Sequence, residues 1–452
     1  MNRPAAINMK WRVGLPVTLL VAFLALGFAF RSLTFFQLAA CCTTLYGLTV
    51  FTVGVFAYRS PNRAGAKPLE ASPDDELPMV SVLIPAHNEE MVIGHTLDHV
   101  LKLDYPRFEV IVIDDHSSDA TGEILKRYPV EVVTRRNLPN RGKSEALNAA
   151  LEIAKGDVIC VFDADTEMAP NFLRLAVQPM LDNPEICGVQ AQVRMYNRKH
   201  NFLTAGQDDE FALFCEITQM GRYTLGGASA LGGNGQLTRR SAIHAVGGWS
   251  PASLTEDFDL TVRLLLAGRG RIAHVSEAVV WQEGVTSLRA LIRQRTRWAE
   301  GMLRCFGEFI GQVVTSKEMP GWLRFDAFYA LASAFIPLFT FMGLVYTVSF
   351  MIPGVIQETL PHTVAGALGV ISLGALLAWS SVISFKRDRR FDVLPALRSM
   401  IYLLHWIPAL TLALRNIFQD MPVVWEKTEH RGKGLISSTM PAGVAAVSGS
   451  DR

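Results

Sequence analysis

The stretch Val158-Ile-Cys-Val-Phe-Asp-Ala-Asp165 runs five apolar residues into two carboxylates one residue apart. A short continuous apolar run is how a strand buried on both faces of a parallel sheet reads. Ligands of open α/β sheets bind beyond the carboxyl ends of the strands. Asp163 and Asp165 are therefore predicted at a sheet mouth, where both acids could hold a divalent cation. An Asp-x-Asp triplet alone is common in solvated loops. What sets this one apart is the strand before it and the residues around it.

Residues 79–84, 108–113 and 130–133 are further short β-branched runs. Between the first two, Val92, Ile93, Thr96, Leu97, Val100 and Leu101 recur at helical spacing. Leu147, Leu151 and Ala154 mark one face of a helix that ends at Gly156, just before the 157–162 strand. Strands alternating with helices predict an α/β domain with a mostly parallel sheet and right-handed crossovers.

The ends of the chain differ from its middle. Residues 15–30 and 37–57 are nearly all apolar, each close to the roughly 20 a helix needs to cross a bilayer. Arg3, Lys10 and Arg12 precede the pair, and Arg59, Arg63 and Lys67 follow it, so the positive-inside rule predicts a hairpin over 1–60 with both ends in the cytosol. Residues 61–78 read as a linker, 79–300 as the α/β domain, and 301–325 as an interfacial amphipathic segment. Segments 327–352 and 364–383, within a C-terminal membrane region over 326–420, are long enough to span. The stretch 400–414 is short and carries His405 and Pro408, which favours a buried or interfacial helix over a third crossing. Residues 421–452 read as a cytosolic tail. Together these predict a multi-pass protein of the cell membrane with a cytosolic α/β domain.

Net charge is +1, so no overall attraction to nucleic acid is indicated. The six cysteines lack Cys-x-x-Cys spacing, which argues against a disulfide framework or a structural zinc site. Beyond His405 the apolar segments lack internal charge, which argues against a transporter.

Four features accompany Asp163 and Asp165. Pro85-Ala86-His87-Asn88-Glu89 follows the opening strand, where a nucleotide base is expected. Asp114-Asp115 follows the second strand. Lys143 opens a helix after Arg141-Gly142 and could neutralise a diphosphate. Thr255-Glu256-Asp257 stands beside a predicted helix, where acids distant in sequence can divide metal binding from proton transfer. Further on, Gln294-Arg295-Thr296-Arg297-Trp298, if helical, places Gln294, Arg297 and Trp298 on one face. An aromatic plane beside cationic and amide donors suits a sugar next to a phosphate leaving group. Gly232-Gly233-Asn234-Gly235-Gln236 and Gly247-Gly248-Trp249 bracket a further predicted helix, and the glycines would let backbone approach a substrate.

These motifs, in this order, resemble the catalytic domain of the family-2 glycosyltransferases, which has the GT-A fold. Gln294, Arg297 and Trp298 match the Q-x-x-R-W of membrane-embedded members, among them the cellulose, hyaluronan and poly-N-acetylglucosamine synthases. The 232–249 stretch, with 283–286 and 297–301, is also similar to bacterial enzymes that glucosylate diacylglycerol. The resemblance implies a role for each position. Pro85, Ala86, Asn88, Glu89 and Asp115 would hold the uridine of a UDP-sugar donor, and Lys143 and Asp163 would lie at its diphosphate. Asp163 and Asp165 would position Mg²⁺ or Mn²⁺. Asp257 would be the general base. Glu256, Gln294, Arg297 and Trp298 would line the acceptor and leaving-group side. The implied reaction is inverting transfer to a membrane-associated acceptor. Q-x-x-R-W and the membrane-flanked layout put elongation of a β-linked polysaccharide ahead of a single transfer to a lipid such as diacylglycerol. The intact acidic motifs argue against a non-catalytic scaffold. Trp425 to His430 loosely resembles a gating loop of the polysaccharide synthases.

Overall fold

The computed structural model describes residues 47–57, 74, 77–136, 142–335, 378 and 393–421. Most of the expected membrane segments lie outside them, namely 15–30, the first part of 37–57, most of 327–352 and nearly all of 364–383. So do Arg141 and the 425–430 stretch.

An eight-stranded sheet in the order β3-β2-β1-β4-β7-β6-β8-β5 organises the chain. Its first half consists of β1 (Val80–Ala86), β2 (Phe108–Asp115), β3 (Glu131–Arg135) and β4 (Val158–Val161), all parallel. These are the strands expected from the apolar runs. Alternate residues face opposite sides: Val80, Val82, Ile84, Val110, Val112, Val158 and Cys160 join one core, and Leu83, Ile111, Ile113, Ile159 and Val161 the other. The first core is closed by the helices Ile93–Val100 and Phe172–Asp182, and the second by Lys143–Ile153, Arg240–Ala245 and Glu256–Leu266. Fully burying each such aliphatic side chain contributes about 1.5–3 kcal/mol. The result is a helix–sheet–helix layering, with the strand ends left for chemistry.

The second half is of mixed direction. β7 (Gln236–Arg239) runs antiparallel to β4 and to β6 (Ile186–Met195), and β8 (Arg271–Gln282) pairs parallel with β6. The short β5 (Glu167–Met168) closes the edge antiparallel to β8. Four of the seven pairings are parallel, so the sheet is mostly parallel as expected. These later strands carry buried polar residues, Gln190, Gln192, His274 and Ser276, which interrupt the apolar runs by which the earlier strands could be recognised.

The helix Leu288–Thr315 runs 28 residues without a break, across position 300. Ser287 caps it, its Oγ accepting from the Ala290 N–H at 3.2 Å. Ala299 and Leu303 pack against Leu410, Ala413 and Ile417, while Cys305 and Phe309 pack against Val262, Leu265, Ala327 and Leu331. Among the described residues one helical stretch, Leu397–Phe418, is long and apolar enough to cross a membrane, with mean hydropathy 1.3 over its most apolar window. It is also tied to the α/β domain. Arg398 pairs with Asp209 at 2.8 Å, and Asn416 Nδ2 donates to Glu300 at 2.9 Å.

Candidate active site

The carboxyl ends of β1, β2 and β4 open on one side of the sheet, as parallel strands must. Pro85 and Ala86 are the last residues of β1, in register with Ile113 and Asp114 of β2. The loop that follows turns at Asn88, which takes a left-handed φ of 56°. Asparagine tolerates that region because its side chain bonds locally, and here Asn88 Oδ1 accepts from the Ser118 N–H at 2.7 Å. The Glu89 N–H donates to Thr121 Oγ1 at 2.8 Å, and His87 Nδ1 lies 2.7 Å from the Asp115 carbonyl oxygen. Residues 85–89 and 115–121 are thereby one unit, the two motifs joined through backbone.

Asp115 is buried and firmly engaged. Its Oδ1 accepts from Arg135 at 2.7 Å and lies 2.9 Å from His116 Nδ1, while Oδ2 accepts from the Gly142 N–H at 3.1 Å. These contacts fix the carboxylate at the carboxyl end of β2. Arg135, at the end of β3, holds this carboxylate and is not singled out by the sequence, because an arginine closing a short strand carries no motif.

The next residue along, Lys143, reaches the acids. Its Nζ donates to Asp163 Oδ1 at 2.6 Å and lies 3.4 Å from Glu256 Oε1. Burial alone would lower its pKa, but Asp163, Glu256 and Asp257 outweigh that and hold it above the ordinary lysine value. Asp257 behaves oppositely. Burial and then the like charge of Glu256 push its carboxyl up to about 7, against Lys143 and the Phe258 N–H, which pull it down. That N–H donates to Asp257 Oδ1 at 2.7 Å. Four groups from three separate stretches of the chain thus form one cluster: Lys143, Asp163, Glu256 and Asp257.

A turn before β7 floors this cluster. Gly233 has φ of 79°, and a Cβ on it would lie 3.0 Å from Asp257 Oδ2 and 3.2 Å from Lys143 Nζ. Gln190 clamps the turn from inside the sheet, accepting from the Gly232 N–H at 2.7 Å and donating to the Asn234 carbonyl at 2.9 Å. Asn234 Oδ1 in turn accepts from the Asp163 N–H at 3.3 Å and from Thr166 Oγ1 at 2.9 Å. The buried glutamine that obscured β6 as a strand therefore holds the glycine turn to the acidic loop.

Asp163 is about one-third exposed, whereas Asp165 is buried with its Oδ2 accepting from the Glu283 N–H at 2.9 Å. Two carboxylates on one tight loop, beside a lysine, are hard oxygen donors of the kind Mg²⁺ and Mn²⁺ take. The residues fit such an ion.

The Gln294–Trp298 motif lies on the long helix, which meets the condition under which Gln294, Arg297 and Trp298 share a face. Trp298 is covered by the Arg295 guanidinium 3.9 Å from its ring centroid and meets Phe211 edge-on at 6.2 Å. Arg295, passed over in sequence, is fully buried. It pairs with Glu210 at 2.6 Å and donates to Gln294 Oε1 at 2.8 Å. Among the described residues no hydrogen bond or ion pair ties Gln294, Arg297 or Trp298 to the acidic cluster. The same helix reaches that region further along. Gly301 is pressed so close to Thr255 that a Cβ would lie 2.5 Å from its Cγ2.

The family described as "Glycosyltransferase like family 2" matches residues 78–301. The chain is 34% identical over 379 residues to beta-monoglucosyldiacylglycerol synthase of Trichormus variabilis, covering 79% of this chain and 78% of that one. It is 31% identical over 238 residues to poly-beta-1,6-N-acetyl-D-glucosamine synthase of Staphylococcus aureus, covering 52% and 57%. Among solved structures, a mannosyltransferase from Pyrobaculum calidifontis in complex with GDP-Man and Mn²⁺ matches with a TM-score of 0.49 at 19% identity, over 85% of this chain and all of that one.

Proposed function

Because the chain belongs to the family-2 glycosyltransferases, we propose that it transfers one glucosyl residue from UDP-glucose to diacylglycerol at the membrane, with inversion. One observation carries the choice of acceptor. Likeness to the glycolipid synthase extends over 379 residues, well beyond the 78–301 segment, whereas likeness to the polymer synthase covers 238. This reverses the order expected from Q-x-x-R-W and the membrane-flanked layout, which favoured polysaccharide. A motif that serves the leaving group is shared by enzymes with different acceptors, so it does not discriminate between them. Leu397, Ile401 and Leu404 expose an apolar stripe on the helical stretch Leu397–Phe418, which supports a catalytic domain resting on lipid.

In this reading the 85–89 loop and Asp115 hold the uridine. Lys143 faces the diphosphate, and Asp163 and Asp165 hold Mg²⁺ or Mn²⁺. Such an ion, when bound, supplies positive charge to the departing UDP. Asp257 takes the proton of the acceptor hydroxyl as that oxygen bonds to the anomeric carbon and the bond to the diphosphate breaks. Attack from the face opposite the leaving group gives a β-glucoside from an α-linked donor. Glu256 keeps Asp257 basic enough to accept the proton, and Lys143 keeps it from being protonated throughout at neutral pH.

The acid limb of the pH profile follows. The base must be unprotonated, so kcat/KM is expected to rise with pH through an apparent pKa near 7. Lys143 lowers that pKa, so Lys143→Met is expected to shift the limb upward as well as weaken donor use. Initial rates between pH 5.5 and pH 9, a range of about three to four decades in proton activity that brackets this pKa, check it. Gly233→Ala places a methyl against Asp257 Oδ2 and strains a left-handed turn. Displacing the carboxylate is expected to lower kcat on the order of tenfold to a hundredfold, read in steady-state kinetics.

The acceptor is tested by incubating membranes that carry the enzyme with radiolabelled UDP-glucose or UDP-N-acetylglucosamine. Glucose label extracted into organic solvent as a glycolipid, and abolished by EDTA, is the expected result. Label retained in high-mass aqueous material would replace the lipid by a polymer.

A further inference from the structure

We propose that His95, His99 and Glu167 form a second metal site, separate from Asp163 and Asp165 and suited to a borderline transition-metal ion such as Zn²⁺. His95 and His99 stand four residues apart on the helix Ile93–Val100, so they share a face. Their rings meet edge-on with centroids 4.5 Å apart. The edge strand β5 brings in Glu167, whose Oε1 lies 2.9 Å from His95 Nε2. One ligating atom from each residue lies within 4.8 Å of the other two. A tetrahedral ion with ligands at about 2.0–2.1 Å needs them roughly 3.3–3.5 Å apart, so modest side-chain rotations close the site. The His95 and Glu167 side chains are 27% and 13% exposed, enough for an ion to enter and for water to complete its coordination.

The hydrogen bonds prepare the ligands. His99 Nδ1 lies 3.0 Å from the His95 carbonyl oxygen. A carbonyl only accepts, so Nδ1 carries the proton and Nε2 keeps its lone pair for a metal. His95 donates its Nε2 proton to Glu167, and an ion would replace that proton. Two imidazoles and one carboxylate form an open zinc set, whereas the all-oxygen Asp163–Asp165 pair prefers Mg²⁺ or Mn²⁺. The place matters for the enzyme. Thr96, between the two histidines in sequence, donates through Oγ1 to the Ala164 carbonyl at 2.7 Å. An ion here would clamp the helix and the edge strand that flank the Asp163–Asp165 loop.

The test uses the tag-free full chain in detergent, saturated with Mg²⁺ and titrated with Zn²⁺ by calorimetry. One Zn²⁺ is expected to bind per chain. Its affinity should fall about tenfold or more in His99→Gln and in Glu167→Gln, and stay unchanged in Asp163→Asn. Co²⁺ in place of Zn²⁺ should give intense visible d–d bands that His99→Gln removes. Thermal melts in EDTA establish that each variant is folded, and His95→Asn carries the same test should either fail. No Zn²⁺ binding, binding that survives the ligand variants, or binding lost in Asp163→Asn instead would overturn the site.

Discussion

Asp257→Asn is expected to lose about 10²–10⁴-fold in kcat while binding UDP as the wild type does. Asparagine keeps the shape of the side chain and an oxygen to accept the Phe258 N–H, but it cannot take a proton from the acceptor. The variant should also keep its fold. Asp257 carries a carboxyl whose pKa is raised to about 7 in the folded chain, from an ordinary 3.8. A raised acid binds protons more tightly when folded, so its ionisation lowers stability as pH rises between those values. Removing the charge lifts that penalty, and above pH 7 the variant should melt at or above the wild-type temperature. Activity and stability thus move in opposite directions, which separates a catalytic role from a structural one. Full transfer activity in Asp257→Asn would remove this residue from the base position.

Glu210→Ala is expected to destabilise the chain by about 3–5 kcal/mol, because it strands a fully buried guanidinium. Glu210 accepts from Arg295 at 2.6 Å, from Tyr402 at 2.9 Å and from the Trp406 indole at 2.7 Å. Burial would raise the Glu210 carboxyl, but Arg295 and the indole hydrogen bond overcome that and hold it below the usual range. One carboxylate therefore joins the helix Phe202–Phe211, the long helix and the C-terminal helix. Arg295 also covers Trp298, so the variant should lose activity together with melting temperature. The double variant Glu210→Met with Arg295→Met should recover much of the stability, since two apolar side chains leave no buried charge unpaired. Thermal melts of the three proteins decide it. Wild-type melting in the single variant would show that the pair contributes little.

How much of this could be read before folding depended on what kind of residue carried the signal. The strands β1 to β4 are buried on both faces, so their sequences are unbroken apolar runs. β6 and β8 hold buried glutamines and a histidine, of which Gln190 binds the glycine turn before β7, and polar residues inside a strand erase the pattern that announces it. Asp163, Asp165, Lys143 and Asp257 were legible because each sits at the start or end of an element, where acids and bases stand out. Arg135, Gln190, Asn234, Arg295 and Glu210 were not. Their function lies in which distant group they meet, and spacing along the chain holds no record of that.

The chain by itself determined an α/β domain, apolar ends, and the residue types needed to move a sugar from a nucleotide, because those depend on local periodicity and composition. Only the tertiary structure decided that Lys143 stands between Asp163 and Glu256, and that Asp257 is pushed up to about 7 by burial and a like-charged neighbour. A pKa and an ion pair are set by distance and by exclusion of water, and both are properties of the packed chain. The same holds for the Asp163–Asp165 loop. Asn234, Thr166 and Glu283 fix where its two acids sit.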